Sequence, residues 1–226
     1  MAAEPPLIAI FGPTAVGKTA VAVELAGLLR ARGQDPVAIS ADSIQVYRGL
    51  EELSGAPSAE ERSGLEHRLV GVAAVTEEFS AGRFARLAHE EIDAAIGSGR
   101  RPIVVGGTGL YMRAALAELE LRPPVDPELR AHVEADLRER GSSALHAELP
   151  ERLRAATHPN DRKRIARSSE LLAAGIEPHA ISKGLWTERL RRPAVMVGIT
   201  LERDELDRVI ERRARAIAAS GAAAEV

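Results

Sequence analysis

Cysteine is absent from the 226 residues. That excludes a disulfide framework and any thiolate metal site, and it is compatible with a reducing cytoplasm. Aromatic residues make up only 3%, with one Trp, two Tyr and three Phe. Trp186, Phe79 and Phe84 read most simply as packing residues. No apolar run approaches the roughly 20 residues that a membrane-spanning helix needs. Met1 to Leu7 lacks the basic patch and apolar core of a secretory signal. Six histidines are scattered without metal-ligand spacing, and His67 and His158 read as surface or capping residues.

Strong net charge is also missing. The total of −3 does not by itself point to a polyanion partner. Its distribution says more. Residues 151–192 carry ten Lys/Arg against five Asp/Glu, an excess of five positive charges that leaves −8 on the rest. Such an excess is either solvated helix surface or a footprint for a polyanion. Apolar residues at 45% and charged residues at 28% are ordinary for a globular protein. The length suits one large domain, or a domain with a smaller insert.

Leu7–Phe11 reads as a buried strand, and Val21, Leu25, Leu28 and Leu29 set the apolar face of a helix over Thr19 to Arg32. Val37–Ile39 is a second strand, and the polar segment 50–66 reads as loop. Ser80 is placed to cap a helix whose face is Phe84, Leu87, Ala88, Ile92 and Ile96. Pro102–Val105 is a third strand, with a helix from about Leu110. This alternation predicts a parallel sheet with helices on both faces. The rhythm changes at Leu121 to Pro124. From the cap pair Asp126-Pro127 to Arg192 the pattern is helical. Its stripes are Leu129, Val133 and Leu137, then Ile165, Leu171 and Leu172. Strand character returns at Ala194–Thr200, and Leu206, Ile210 and Ile217 mark a last helix. The prediction is an α/β core over 1–118 and 194–226, with a helical insertion over 119–193.

Gly12-Pro13-Thr14-Ala15-Val16-Gly17-Lys18-Thr19 matches the phosphate-binding G-x-x-x-x-G-K-[ST] loop, between a strand and a helix as the mechanism requires. Backbone N–H groups and the helix start would hold phosphate oxygens. Lys18 adds a cation and the Thr19 hydroxyl a Mg²⁺ ligand. Nucleotide hydrolysis calls for an acidic residue at a strand end. The Ile103–Val105 strand ends instead in Gly106-Gly107-Thr108, which suits close approach of a substrate. Asp42 follows the second strand, in the usual ligand crevice of open α/β sheets. It reads either as a general base or as the cap of the next turn. Gln45 can hydrogen-bond a nucleobase edge, and Tyr47 can stack.

Several stretches together resemble the tRNA dimethylallyltransferases, also called tRNA isopentenyltransferases. They are GPTAVGKT at 12–19, ADSIQVYRG at 41–49, FSAGRFARLA at 79–88, GGTGLYMRA at 106–114, DPELR at 126–130, HPNDRKRIAR at 158–167 and the segment 203–226. The resemblance implies a P-loop kinase-like fold with Mg²⁺ as cofactor. It also implies transfer of a dimethylallyl group from dimethylallyl diphosphate to the exocyclic amine of an adenosine beside the tRNA anticodon. Gly12 to Thr19 and Arg213 would hold the pyrophosphate. Asp42 would take the proton from the amine, with Lys18, Thr19 and Thr108 at the reacting centre. Asp42, Ser43, Ile44, Gln45 and Thr108 would meet the flipped base, a need shared by base-modifying enzymes. Arg130, Lys163, Arg164, Ile165, Ala166 and Arg167 would face tRNA. A monomer in a bacterial cytoplasm, without membrane attachment, is implied as well.

There are departures from the family pattern. Glu51 to Pro57 stands where members read D-I-G-T-A-K-P, so Ala56 replaces a Lys near the crevice. Arg167-Ser168-Ser169-Glu170 replaces R-A-L-E, and Val209 stands for an Arg. The chain stops at Val226, where members continue with helices that cover the donor tunnel and grip RNA. Two other readings stay open on the residues alone: a P-loop small-molecule kinase, and a non-catalytic RNA-binding remnant.

Overall fold

In a computed structural model, residues 5–118, 125–178 and 189–225 are described. Trp186 and the break at Leu121 to Pro124 lie outside them. The chain forms two compact units, one of residues 1–119 and 188–226, the other of residues 120–187.

The first unit is built on five parallel strands, β1 (Leu7–Phe11), β2 (Pro36–Ser40), β3 (His67–Arg68), β4 (Arg101–Gly106) and β5 (Ala194–Gly198). Their order is β3-β2-β4-β1-β5. β1, β2 and β4 are continuous apolar runs, buried almost throughout. That is the pattern of strands covered on both faces. Helix α1 (Lys18–Arg30) covers one face, where Ala22, Ala26 and Leu29 meet Ile8, Ile10, Ala38 and Ile103. Helices α4 (Ala81–Gly97) and α5 (Gly109–Leu116) cover the other, around Phe84, which stacks on Tyr111. Ser80 caps α4 as expected, its hydroxyl accepting from the Arg83 N–H at 3.1 Å.

Several expectations need correction. Val21 and Leu28 are 41% and 65% exposed. Small alanines face the sheet instead, because they let α1 approach it closely. Segment 50–66 holds two short helices, α2 (Glu51–Ser54) and α3 (Ala59–Gly64), ahead of β3. α3 starts at a capping box in which Ser58 and Glu61 exchange side-chain-to-backbone hydrogen bonds. Helix α9 (Arg203–Ala219) buries none of its residues. On β5, the last strand of the order, Val195 and Met196 are each 49% exposed.

The second unit contains α6 (Pro127–Glu148), α7 (Glu151–Ala156) and α8 (Arg162–Ala173). Asp126 caps α6 with Pro127 in its first turn, and Gly141 interrupts the helix with φ 79°. Val133, Leu137, Leu145, Leu149, Leu153 and Ile165 form its core. Among the described residues no helix is long and apolar enough to cross a membrane.

Candidate functional site

The register aligns the carboxyl ends of three strands. Phe11 pairs with Gly106, and Ser40 with Val105, so β4 lies between β1 and β2. The phosphate loop leaves β1, Asp42 follows β2 and Thr108 follows β4. These three segments therefore meet at the crevice where ligands bind in such sheets, although Ser43 and Thr108 do not line the cavity itself. The approach is close. A Cβ on Gly106 would sit 2.2 Å from the Ala41 carbonyl oxygen, so only glycine lets the two strand ends run together.

In the loop, Ala15 and Gly17 adopt positive φ, 68° and 91°. α1 then begins with no side-chain cap and no acidic residue in its first turn. Its first amides are left for an anion. Lys18 Nζ donates to the carbonyls of Gly12 and Pro13 at 3.1 and 2.8 Å. Burial holds the Lys18 ammonium below its ordinary pKa. The Asp42 carboxylate opposes that shift and the charge of Arg213 reinforces it.

These groups open on a cavity of about 670 Å³. Thr14, Ala15, Gly17, Lys18 and Thr19 line its phosphate end, with Asp42 and Arg213 beside them. Val16 is buried at 7% exposure and points away from it. Ile44, Leu53, Val209, Ile210 and Ile217 supply an apolar wall. Three of these sit on α9, which explains a helix with apolar residues and no core.

Of the two readings of Asp42, the cap of the next turn is the one seen directly. Its Oδ1 caps the turn, accepting from the N–H groups of Ile44 and Gln45 at 2.9 and 3.3 Å. Among the described residues Oδ2 takes no hydrogen bond, and the side chain lines the cavity. The Ser43 N–H and hydroxyl both lie 3.4 Å from the Thr108 hydroxyl, which ties the Asp42 turn to the end of β4. Gln45 is engaged at both ends. Its Oε1 accepts from Ser40 at 2.9 Å and its Nε2 donates to the Gly55 carbonyl at 3.1 Å. Contact with a base edge would cost one of these bonds. The Tyr47 and Phe79 rings pack in a T-shaped arrangement with centroids 6.3 Å apart.

Arg213 Nη2 donates to the Ser54 carbonyl at 3.1 Å, and the guanidinium packs on Gly55. It brings a second cation to the cavity beside Lys18. His67 also lines the cavity, which its sequence context did not signal. Its Nδ1 bonds the Leu65 carbonyl at 2.6 Å, and burial lowers its pKa. His158 caps locally, accepting from the Asn160 N–H. Among the described residues no cluster of three or more His, Cys, Asp or Glu is placed to hold a metal.

In the second unit, Lys163 and Arg164 are exposed on α8. Arg130 and Arg167 instead flank Glu170, whose side chain is only 6% exposed, at 3.8 and 2.7 Å. Ile165 is fully buried in the core and Ala166 packs against it. The helical spacing turns the Ile165 side chain inward, away from any partner, while Ala166 stays partly exposed.

The family model for IPP transferase matches residues 45–226. The tRNA dimethylallyltransferase of Kineococcus radiotolerans is 40% identical over 98% of this chain and 70% of its own length. That of Thermobifida fusca is 41% identical over 92% of this chain and 65% of its own length. This chain therefore spans about two thirds of the length of the curated relatives it matches. The crystal structure of the full-length tRNA isopentenylpyrophosphate transferase from Bacillus halodurans superposes with a TM-score of 0.62. It is 35% identical, and the match covers 96% of this chain and 67% of that one. A eukaryotic dimethylallyltransferase acting on tRNA, 20% identical, shares the fold with a TM-score of 0.75 over 98% of this chain and 55% of its own. The chain belongs to the IPP transferase family, that of the tRNA dimethylallyltransferases.

Proposed function

We propose that the cavity binds dimethylallyl diphosphate and that the chain transfers the dimethylallyl group to the exocyclic N6 amine of the adenosine adjacent to the anticodon of tRNA. Pyrophosphate is the second product. One observation carries this reading: a phosphate loop, the cations Lys18 and Arg213 and the Asp42 carboxylate open on one cavity that also holds an apolar stretch of Ile44, Leu53, Val209, Ile210 and Ile217 beside the polar Glu61, His67 and Gln45. A small branched hydrocarbon gains from burial against that apolar stretch.

The amides from Thr14 to Thr19, with Lys18 and Arg213, would hold the diphosphate oxygens. These donors are aimed where negative charge develops as the donor carbon–oxygen bond breaks. Mg²⁺ fits beside Thr19, since it takes few protein ligands and prefers hard oxygens such as this hydroxyl and the diphosphate. When bound, it would neutralise charge on the departing pyrophosphate. The bond from the allylic carbon to oxygen breaks with its electron pair passing to pyrophosphate. The adenine N6 forms the new bond to that carbon, and Asp42 Oδ2 receives the N6 proton while Oδ1 stays on its turn. Ser43 and Thr108 would orient the flipped base. Lys163, Arg164, Arg130 and Arg167 would meet the RNA backbone, and the chain would work in the cytoplasm, where tRNA is found.

Thermal unfolding with Mg²⁺ tests the donor. Dimethylallyl diphosphate is expected to raise the melting temperature and ATP to leave it unchanged. Stabilisation by ATP alone would favour a small-molecule kinase.

A further inference from the structure

Helix α2 is a single turn that buries none of its residues. Neither packing nor length keeps such a turn formed. Three side chains from elsewhere hold it. At its C-terminal side, Arg213 takes the Ser54 carbonyl and Gln45 the Gly55 carbonyl. At its N-terminal side the cap residue is Leu50, which has no side-chain acceptor. Glu225, in the closing 3-10 turn Ala222–Glu225, does that work. Its Oε1 accepts from the Glu52 N–H and its Oε2 from the Leu53 N–H, each at 2.9 Å. One carboxylate thus satisfies two of the amides that a helix start leaves unpaired. Ala222, buried at 3% exposure, anchors the turn that carries it.

We propose that Glu225 is a positioning residue for the diphosphate site. By capping α2 it keeps Leu53, Ser54 and Gly55 in the cavity wall, and the Ser54 carbonyl in turn holds the Arg213 guanidinium toward the phosphate end. This rests on the reading of the cavity as a diphosphate site. Glu225 touches neither substrate nor reacting atoms, and it acts through α2 and Arg213. Without it the turn frays, the Ser54 carbonyl withdraws, and Arg213 loses the contact that orients it.

The test combines amide hydrogen exchange with titration of inorganic pyrophosphate and Mg²⁺, in the unaltered chain and in Glu225→Ala. Glu211→Gln is the control, since Glu211 pairs with Arg215 on an exposed part of α9. In Glu225→Ala, exchange at Glu52 and Leu53 should accelerate about tenfold with β1 and β4 unchanged. Pyrophosphate Kd should rise about fivefold. Glu225→Gln, with one acceptor oxygen left, should fall between, and the control should change neither. Unchanged exchange in residues 51–55, equal acceleration in all strands, or unaltered pyrophosphate affinity despite local fraying would each overturn the positioning role. Failure of the unaltered chain to bind pyrophosphate would overturn the diphosphate reading itself. That result is distinguishable, because the local exchange difference would persist.

Discussion

Gln45 and Arg213 hold adjacent carbonyls of one loop, Gln45 Nε2 on Gly55 and Arg213 Nη2 on Ser54, both at 3.1 Å. Gln45 follows β2 and Arg213 sits on α9, so the pair joins the start and the end of the first unit across the cavity wall. The contact leaves no room at Gly55. A Cβ there would fall 1.8 Å from Arg213 Nη2, at a φ of +58°.

Gly55→Ala therefore tests the arrangement. The guanidinium is the far end of a flexible side chain and can move aside, so the fold should lose only about 1 kcal/mol, the cost of a left-handed alanine. Diphosphate affinity should fall further than stability does, about tenfold, as Arg213 leaves its place. Calorimetric titration and thermal melting of the same variant compare the two losses.

One substitution separates the observed cap at Asp42 from its proposed role as general base. Asp42→Asn keeps an Oδ1 acceptor for the amides of Ile44 and Gln45, but it cannot take a proton. Turnover should drop by about 10²–10⁴, the usual worth of a general base, with donor binding retained. Asp42→Ala should lose both the proton acceptor and the turn. Single-turnover rates alongside donor titration measure the difference.

Glu170 is the buried carboxylate of the second unit, between Arg130 and Arg167. Glu170→Gln leaves two guanidiniums facing a neutral amide. Stability should fall by about 1–3 kcal/mol, and the two arginines should lose their fixed orientation. Denaturant unfolding measures the first effect. If these arginines meet RNA backbone, affinity for an anticodon stem-loop should weaken and its salt dependence should become shallower.

His67 gives a pH signature. Burial depresses its pKa in the folded chain below the ordinary 6.5. The unfolded chain therefore binds more protons between the folded value and 6.5. Stability is fully present above that range and is lost as pH falls through it. His67→Gln should flatten this acid-side decline, as read from melting curves across the range.

The buried strands, the phosphate loop and the α4 face were legible because each is a local pattern: continuous apolar runs, a spaced motif, a 3.6-residue stripe. The inward face of α1 was not. Its contacts are made by Ala22 and Ala26, and a count of large apolar residues favours Val21 and Leu28, which are exposed. α3 carried a readable S-x-x-E signature at Ser58 to Glu61 that its polar surroundings masked. The dual engagement of Gln45, the cavity role of His67 and the cap from Glu225 join residues far apart in sequence. Glu225 and Glu52 are separated by 173 positions. Periodicity carries no information about such pairs. The sequence places Ile165 both in an apolar stripe with Leu171 and Leu172 and in a motif stretch expected to face RNA, and helical spacing puts it in the core, as the stripe required.

The most direct test of the account is transfer itself. The chain is incubated with labelled dimethylallyl diphosphate, Mg²⁺ and an anticodon stem-loop bearing a run of adenosines. The account predicts label in the RNA and released pyrophosphate in equal amounts, both strongly reduced in Asp42→Asn. RNA binding without label transfer, under conditions where a full-length relative modifies the same RNA, would contradict it.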